Sequence, residues 1–173
     1  WLTKTRLVSF SKIVPRMSRL IRQTANELDK NVEVHVTGED DEIDRHVLDQ
    51  ISGPLEHIMR NAVGHGIESK QARSEKNKPE TGAIQLSFKR VNNDVLIDVS
   101  DDGGGLNIEA IRKKAIERKL MSTSSKLKDE EILQFVLESG FSTAKEVTQI
   151  SGRGVGLDVV ANVVKQLGGH LHI

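Results

Sequence analysis

Residues 83–105 read AIQLSFKRVNNDVLIDVSDDGGG, and this stretch decides the fold. Apolar and polar residues alternate over its first nine positions and again from Val95 to Val99, which is the pattern of two half-buried strands. The turn residues Asn92-Asn93-Asp94 lie between them, so the stretch predicts a β-hairpin. The second strand leads directly into the glycine-rich segment Asp101-Asp102-Gly103-Gly104-Gly105.

Helical patterns lie on both sides of this hairpin. Apolar residues recur at helical spacing over residues 15–30, 55–63, 108–120, 129–137 and 155–167. Asp40-Asp41 predicts the start of another helix, which Gly53-Pro54 should break or kink. Residues 32–36 predict a short strand. Since no βαβ alternation appears, we predict an α+β fold: a two-layer α/β sandwich with a mixed, mostly antiparallel sheet covered by helices on one face.

The composition limits the class of protein. The 173 residues include 25 basic and 25 acidic side chains, and this balance argues against a general nucleic-acid or membrane-surface binder. Cysteine is absent, which excludes disulfides and thiolate chemistry and fits a cytoplasmic protein. No apolar run reaches the roughly 20 residues of a membrane span. Because the chain begins with Trp1, we expect a piece of a longer protein.

The first glycine-rich segment follows a strand and carries Asp101. A carboxylate accepts hydrogen bonds, and an adenine amino group donates them. Gly103 and Gly105 let a backbone approach a flat ring closely and adopt φ values that other residues avoid. The segment is therefore compatible with a nucleotide site. The alternative is an ordinary Asp-Gly turn with a solvated carboxylate.

A second glycine-rich segment, Ser151-Gly152-Arg153-Gly154-Val155-Gly156-Leu157, precedes a helical pattern. Successive backbone N–H groups before a helix can bind phosphate. The segment lacks the Lys-Ser/Thr ending of a P-loop and the preceding strand of a Rossmann fingerprint. A flexible glycine hinge is the alternative.

His57, Asn61 and His65 are spaced at i, i+4 and i+8, which places them on one face if a single helix runs that far. The amide oxygen of Asn61 is a hard ligand suited to Mg²⁺, and His57 could act as a base. A zinc site would need another ligand nearby. Either histidine could equally be an ordinary surface or buried residue. Lys114 could face phosphates, or it could lie on a solvated helix face.

In this order, the motifs resemble the catalytic ATP-binding domain of CheA-type histidine kinases, in the GHKL or Bergerat-fold superfamily. Residues 57–66 (HIMRNAVGHG) are similar to the N box, 101–105 to the Asp-x-Gly-x-Gly box, 135–143 to the Phe-containing box and 152–160 to the second glycine box. The resemblance implies residues 1–6 as the tail of a preceding domain and 7–173 as the ATP-binding domain, truncated before its last C-terminal strands. Chaperone and DNA-repair ATPases of the superfamily would carry Glu where His57 stands.

The resemblance also implies roles for these residues. Asp101 should bind the adenine amino group, and Asn61 and His65 should hold Mg²⁺. His57 and Lys114 should be catalytic, near the γ-phosphate. The remaining cofactor-binding residues should lie in the glycine boxes and the lid: Gly103, Gly105, Ser142, Thr143, Gly152, Arg153, Gly154, Val155, Gly156 and Leu157.

The implied function is transfer of the γ-phosphoryl group of Mg·ATP to a histidine on a separate phosphotransfer domain, in a chemosensory pathway for flagellar or pilus motility. The full chain should further engage a response regulator, a coupling protein and a chemoreceptor, and the isolated domain should be a monomer. Gly64 replaces the N-box Asp, and Gly104 replaces the usual Arg. Because of Gly64, a degenerate module that binds nucleotide weakly and acts as a scaffold is the alternative.

Overall fold

The computed structural model describes residues 6–92, 94–138, 141 and 157–173. The chain divides into two compact units, Trp1–Gly104 and Gly105–Ile173. Each unit has a hydrophobic cluster of its own. None of the helices in the described ranges is long and apolar enough to cross a membrane.

The first unit mixes strands and helices. In chain order its elements are β1 (Leu7–Ser9), α1 (Val14–Glu27), β2 (Asn31–Thr37), β3 (Glu42–Asp44), α2 (Arg45–Asn61), α3 (Lys70–Glu75), β4 (Thr81–Val91) and β5 (Asp94–Asp101). A 3₁₀-helix, Phe10–Lys12, precedes α1, and a π-helix, Ala62–Gly66, follows α2. The predicted α+β class is confirmed.

The main sheet has the strand order β2-β4-β5. β2 is parallel to β4, and β4 is antiparallel to β5, with Val91 opposite Asp94 at the turn. A separate antiparallel pair joins β1 to β3. The predicted hairpin and the mixed, mostly antiparallel pairing are therefore confirmed.

Helices cover one face of this sheet. In β4 the alternate residues Ile84, Leu86 and Phe88 are buried, while the residues between them are more exposed. They share a hydrophobic cluster with Met17 of α1 and Met59 of α2. Burial of each such side chain stabilises the fold by about 1.5–3 kcal/mol. These contacts confirm the predicted two-layer arrangement.

The first residues of the unit contribute an aromatic anchor that the sequence did not indicate. Phe10 is fully buried, and its ring stacks on that of Phe88 with centroids 4.1 Å apart. Stacked aromatic pairs add about 0.5–1.5 kcal/mol beyond the area they bury. The pairing of β1 with β3 and the stacking of Phe10 on Phe88 thus fix residues 7–10 in the first unit.

The α2 helix corrects two predictions. It begins after Asp44, whose carboxylate accepts from the N–H groups of His46 and Val47, and not at Asp40-Asp41. It also continues unbroken through Pro54 to Asn61. Proline removes one helical hydrogen bond. However, buried residues on both sides of Pro54 pack into the core, and this packing outweighs the local preference.

In its described residues the second unit is helical. It contains α4 (Ile108–Glu117), α5 (Asp129–Leu133) with a 3₁₀ turn over Gln134–Leu137, and α6 (Leu157–Gln166). Its core consists of Ile111, Ala115, Met121, Ile132, Val136 and Phe141. Gly168, with φ +83°, ends α6, and the N–H of Gly169 donates to the carbonyl of Val164 at 3.0 Å. This glycine cap closes the helix as glycine caps commonly do.

Candidate functional site

The segment from His57 to Gly66 changes its helical form at Asn61. Asn61 is the last residue of α2, and Ala62–Gly66 form a π-helical turn closed by the N–H of Ile67 and the carbonyl of Ala62 at 2.8 Å. His57 and Asn61 therefore share the α-helix, as predicted. The condition for placing His65 on the same face, a single α-helix that runs that far, is not met, because His65 lies in the wider turn. Such π-turns often occur at functional sites.

Lys30 stabilises the π-helical turn from outside. Its ammonium group donates to the carbonyls of Val63 at 2.9 Å, Gly64 at 3.0 Å and Ile67 at 2.7 Å. Burial lowers the pKa of Lys30, and the negative charge of Glu68 partly offsets this effect. A cation at the carbonyl end of a helix is favourable. No motif in the sequence indicates this role, since Lys30 is a single lysine before a strand.

Asp101 is the last residue of β5 and lies between two glycines. Its Oδ1 accepts a hydrogen bond from the N–H of Gly103 at 2.9 Å. A Cβ atom added to Gly66 would lie 2.6 Å from Oδ2 of the same carboxylate. The exposed Asp101 carboxylate thus rests against backbone that has no side chain on that side. A planar group with N–H donors, such as adenine, fits these features.

The backbones of the two motifs are in direct contact. The N–H of Gly104 donates to the carbonyl of Gly66 at 3.0 Å, and a Cβ atom on Gly103 would lie only 1.8 Å from that carbonyl oxygen. Gly103 is therefore required for close approach of protein backbone. Gly105 has φ +74°, which agrees with its predicted backbone freedom.

Two other acidic residues near the site are engaged in ion pairs. The carboxylate of Glu68 lies 2.7 Å from Lys78 Nζ and 3.0 Å from Arg73 Nη1. The hydrogen bond from Lys78 is the largest of the effects that lower the pKa of Glu68 to about 2. Burial would raise the pKa of Asp102, but the Ala83 N–H and the Arg73 guanidinium outweigh it and lower that pKa. Neither carboxyl group is therefore available as a general acid near neutral pH.

The metal prediction rests on Asn61 and His65. Asn61 is half-buried, and its side chain makes no capping hydrogen bond to the π-helical turn. A single amide oxygen fits Mg²⁺, which takes few protein ligands and is completed by phosphates and water. The described ranges contain no group of three His, Cys, Asp or Glu that could hold a metal, so the zinc alternative finds no support there. His65 is exposed, and its role as a ligand stays a prediction.

The other predicted residues belong to the second unit. Lys114 lies on α4, and its Nζ is 5.1 Å from the centroid of the Phe141 ring. Leu157 is the first residue of α6. Ser142, Thr143, Gly152, Arg153, Gly154, Val155 and Gly156 lie outside the described residues, so their predicted roles are not tested.

The second unit also has an open groove of about 700 Å³. Its walls come from α5, α6 and the residues that follow α6, including Glu130, Lys165, His170 and His172. None of the predicted site residues that the structure describes lines it. The groove therefore does not include the cradle, by which we mean the Asp101 carboxylate and the glycines Gly66 and Gly103 on either side of it.

Comparison with known proteins agrees with these motifs. Residues 50–173 match the family of histidine kinase-, DNA gyrase B-, and HSP90-like ATPases. The chain is 42% identical over 170 residues to the chemotaxis protein CheA of Bacillus subtilis and 44% identical over 170 residues to CheA of Halobacterium salinarum. It is 40% identical over 172 residues to the sensor histidine kinase CheAY of Helicobacter pylori.

These alignments cover 97–98% of the chain but only 21–25% of each relative, so the chain spans about a quarter of their length. The predicted resemblance to the ATP-binding domain of CheA-type kinases is confirmed. The chain belongs to the histidine kinase-, DNA gyrase B-, and HSP90-like ATPase family.

Proposed function

We propose that this chain binds Mg·ATP and supplies the γ-phosphoryl group to a histidine on a separate phosphotransfer domain. The observation that carries the proposal is the position of Asp101, whose exposed carboxylate rests between Gly66 and Gly103. The carboxylate would accept a hydrogen bond from the adenine amino group. Family membership and the similarity to CheA proteins support the same activity.

The other predicted residues take roles around the phosphates in this proposal. Asn61 and His65 would hold Mg²⁺, which supplies charge neutralisation for the transferred group. His57, on the last turns of α2, would act as a base or polarising group near the γ-phosphate. Lys114 would add positive charge. Residues 142–143 and 152–157 would form the lid.

We propose that residues 7–173 are the ATP-binding domain of a cytoplasmic chemosensory kinase, with residues 1–6 belonging to a preceding domain. The name of the Bacillus subtilis relative, a chemotaxis protein, supports a chemotaxis role. In this proposal the pathway controls flagellar or pilus motility. In that setting the full chain would act with a response regulator, a coupling protein and a chemoreceptor. The isolated domain would be a monomer.

The alternative, a degenerate module that acts as a scaffold, follows from Gly64 in place of the N-box Asp. The structure supplies a counter-argument, because Lys30 holds the carbonyls on both sides of this position without an Asp side chain. We expect the turn to keep its form with glycine. A Gly64→Asp variant would separate the alternatives, since a gain of more than tenfold in ATP affinity would favour the degenerate module.

The test of the proposal is calorimetric titration of Mg·ATP into wild type, Asp101→Ala and Asp98→Ala. Asp98 is a matched control, because it is an exposed acidic residue on the same strand. We expect Asp101→Ala to weaken binding at least about tenfold, which corresponds to a loss of about 1.4 kcal/mol or more for the hydrogen bond to the adenine amino group. Asp98→Ala should bind like wild type. Equal affinities in all three proteins would refute adenine recognition by Asp101.

A second assay tests the transfer step. Labelled ATP is mixed with the chain and an added histidine phosphotransfer domain, and label on that domain is measured. His57→Gln should keep ATP affinity within about twofold and reduce transfer at least about a hundredfold, the usual scale of general acid–base catalysis. A variant with normal transfer would exclude His57 from the reaction.

A further inference from the structure

Arg73 is a fully buried charged residue within residues 66–82, whose polar composition predicts a surface loop with a short helix. It lies on α3, and its guanidinium group uses all of its N–H donors. Nε donates to the carbonyl of Pro79 at 2.7 Å, and Nη2 donates to Asp102 Oδ2 at 3.1 Å and to the carbonyl of Thr81 at 3.5 Å. Nη1 donates to Glu68 Oε1 at 3.0 Å and to Asp102 Oδ1 at 3.2 Å.

These contacts join the two segments that form the cradle. Glu68 follows Gly66 by two residues, and Asp102 is the direct neighbour of Asp101. Asp102 receives both ends of the guanidinium fork, a geometry that fixes orientation as well as distance. Lys78 reinforces the link, since its Nζ donates to Glu68 Oε2 at 2.7 Å and to the carbonyl of Gly103 at 3.2 Å.

The two adjacent aspartates therefore have different tasks. The Asp102 carboxylate faces Arg73 and also accepts from the N–H of Ala83 at 2.9 Å. The Asp101 carboxylate instead accepts from the N–H of Gly103 and rests against Gly66. Because Asp101 and Asp102 are joined by one peptide bond, holding the Asp102 carboxylate on Arg73 and Ala83 restrains the backbone from which the Asp101 side chain extends.

We propose that Arg73 is a positioning residue for nucleobase recognition: by holding Asp102 and Glu68 it fixes the Asp101 carboxylate in the direction of the base. This inference rests on the proposed function, in which Asp101 accepts from the adenine amino group. It goes beyond that function by assigning base selectivity to a buried residue that does not touch the nucleotide. Lysine cannot replace arginine in this role, because one ammonium group cannot reproduce the fork.

The experiment compares the affinities of ATP and inosine triphosphate, whose base carries a carbonyl where adenine carries the amino group. Wild type should prefer ATP by about tenfold or more, since the carboxylate would meet an acceptor in inosine. Asp101→Ala should abolish that preference. Arg73→Lys should reduce the preference for ATP at least about fivefold. The affinity for ATP should fall, while the affinity for inosine triphosphate should change less than about twofold.

Arg90→Lys is the matched control, because Arg90 is an exposed arginine on β4, and it should keep the wild-type preference. Asp102→Asn is the second variant, to be used if Arg73→Lys does not fold, and its preference should also fall. A preference that survives in the folded variants overturns the role of Arg73. The role of Arg73 is also overturned if its variant loses affinity for both nucleotides equally, because that result indicates general structural damage. If wild type shows no preference for ATP, or if the preference survives in Asp101→Ala, the proposed base recognition is overturned, and this inference falls with it.

Discussion

Replacing Gly103 with alanine should disrupt the contact between the two motifs. The new Cβ atom would lie 1.8 Å from the carbonyl oxygen of Gly66, whereas real contacts of this kind essentially never fall below 3.0 Å. The Gly66 carbonyl must therefore withdraw by more than about 1 Å. That movement breaks its hydrogen bond from the N–H of Gly104, which is 3.0 Å long.

The cost follows from these two effects. Overpacking in a tight contact costs about 1–3 kcal/mol, and a lost backbone hydrogen bond costs about 1 kcal/mol more. The free energy of unfolding should therefore fall by about 2–4 kcal/mol. For a chain of this length the midpoint of thermal unfolding should fall by roughly 5–15 °C. ATP affinity should fall as well, since Gly103 also donates to Asp101.

Gly104→Ala is the matched control. The atoms nearest to its new Cβ, in Glu68 and Lys76, lie 3.7 Å and 3.8 Å away, which is ordinary contact. Its stability should stay within about 0.5 kcal/mol of wild type. Circular dichroism during heating measures both variants, and calorimetry gives their ATP affinities. If Gly103→Ala has the same melting midpoint and the same ATP affinity as Gly104→Ala, the backbones of the two motifs do not approach each other this closely.

Three further changes test other parts of the site. Gly66→Ala places a Cβ atom within 2.6–2.9 Å of the Asp101 carboxylate, so calorimetry should show at least about tenfold weaker ATP binding while the melting midpoint changes little. Lys30→Met removes the donor to three carbonyls, so urea unfolding should show a loss of about 2–3 kcal/mol. In Lys70→Met, which loses an exposed pair with Asp29, the loss should be below about 1 kcal/mol. Because the pKa of Glu68 is lowered from 4.5 to about 2 in the folded chain, its stabilising effect is present above pH 4.5 and is lost as the pH falls toward 2. Urea unfolding at several pH values should show a steeper decline in wild type than in Glu68→Gln, in which Asp102 still contributes a decline of its own.

The sequence predicted those features that depend on local pattern. Alternation over residues 83–99 predicted the hairpin, because the inner face of β4 is buried and that of β5 is partly buried, while the residues between are more exposed. Gly105 has the positive φ that its sequence context predicted. Gly103 allows close approach of the Gly66 carbonyl, and its predicted approach to a flat ring stays a prediction. The position of Asp101 at the end of a strand was likewise visible in the order of residues.

Features that depend on contacts between distant segments could not be predicted in this way. The break expected at Pro54 is absent because buried residues on both sides of it hold α2 together. Lys30 acts on carbonyls more than thirty residues away, and Arg73 reaches Asp102 across 29 residues. Neither residue belongs to a local pattern that predicts these contacts.

An NMR titration of the ¹⁵N-labelled chain with Mg·ATP tests the central claim most directly, because it locates the bound nucleotide residue by residue. We expect the largest amide shifts at Asn61–Gly66 and at Asp101–Gly104, and we expect Asp101→Ala to remove them at the same nucleotide concentration. Shifts confined to the groove lined by Glu130, Lys165 and His172, with the amides of Gly66 and Gly103 unchanged, would contradict it.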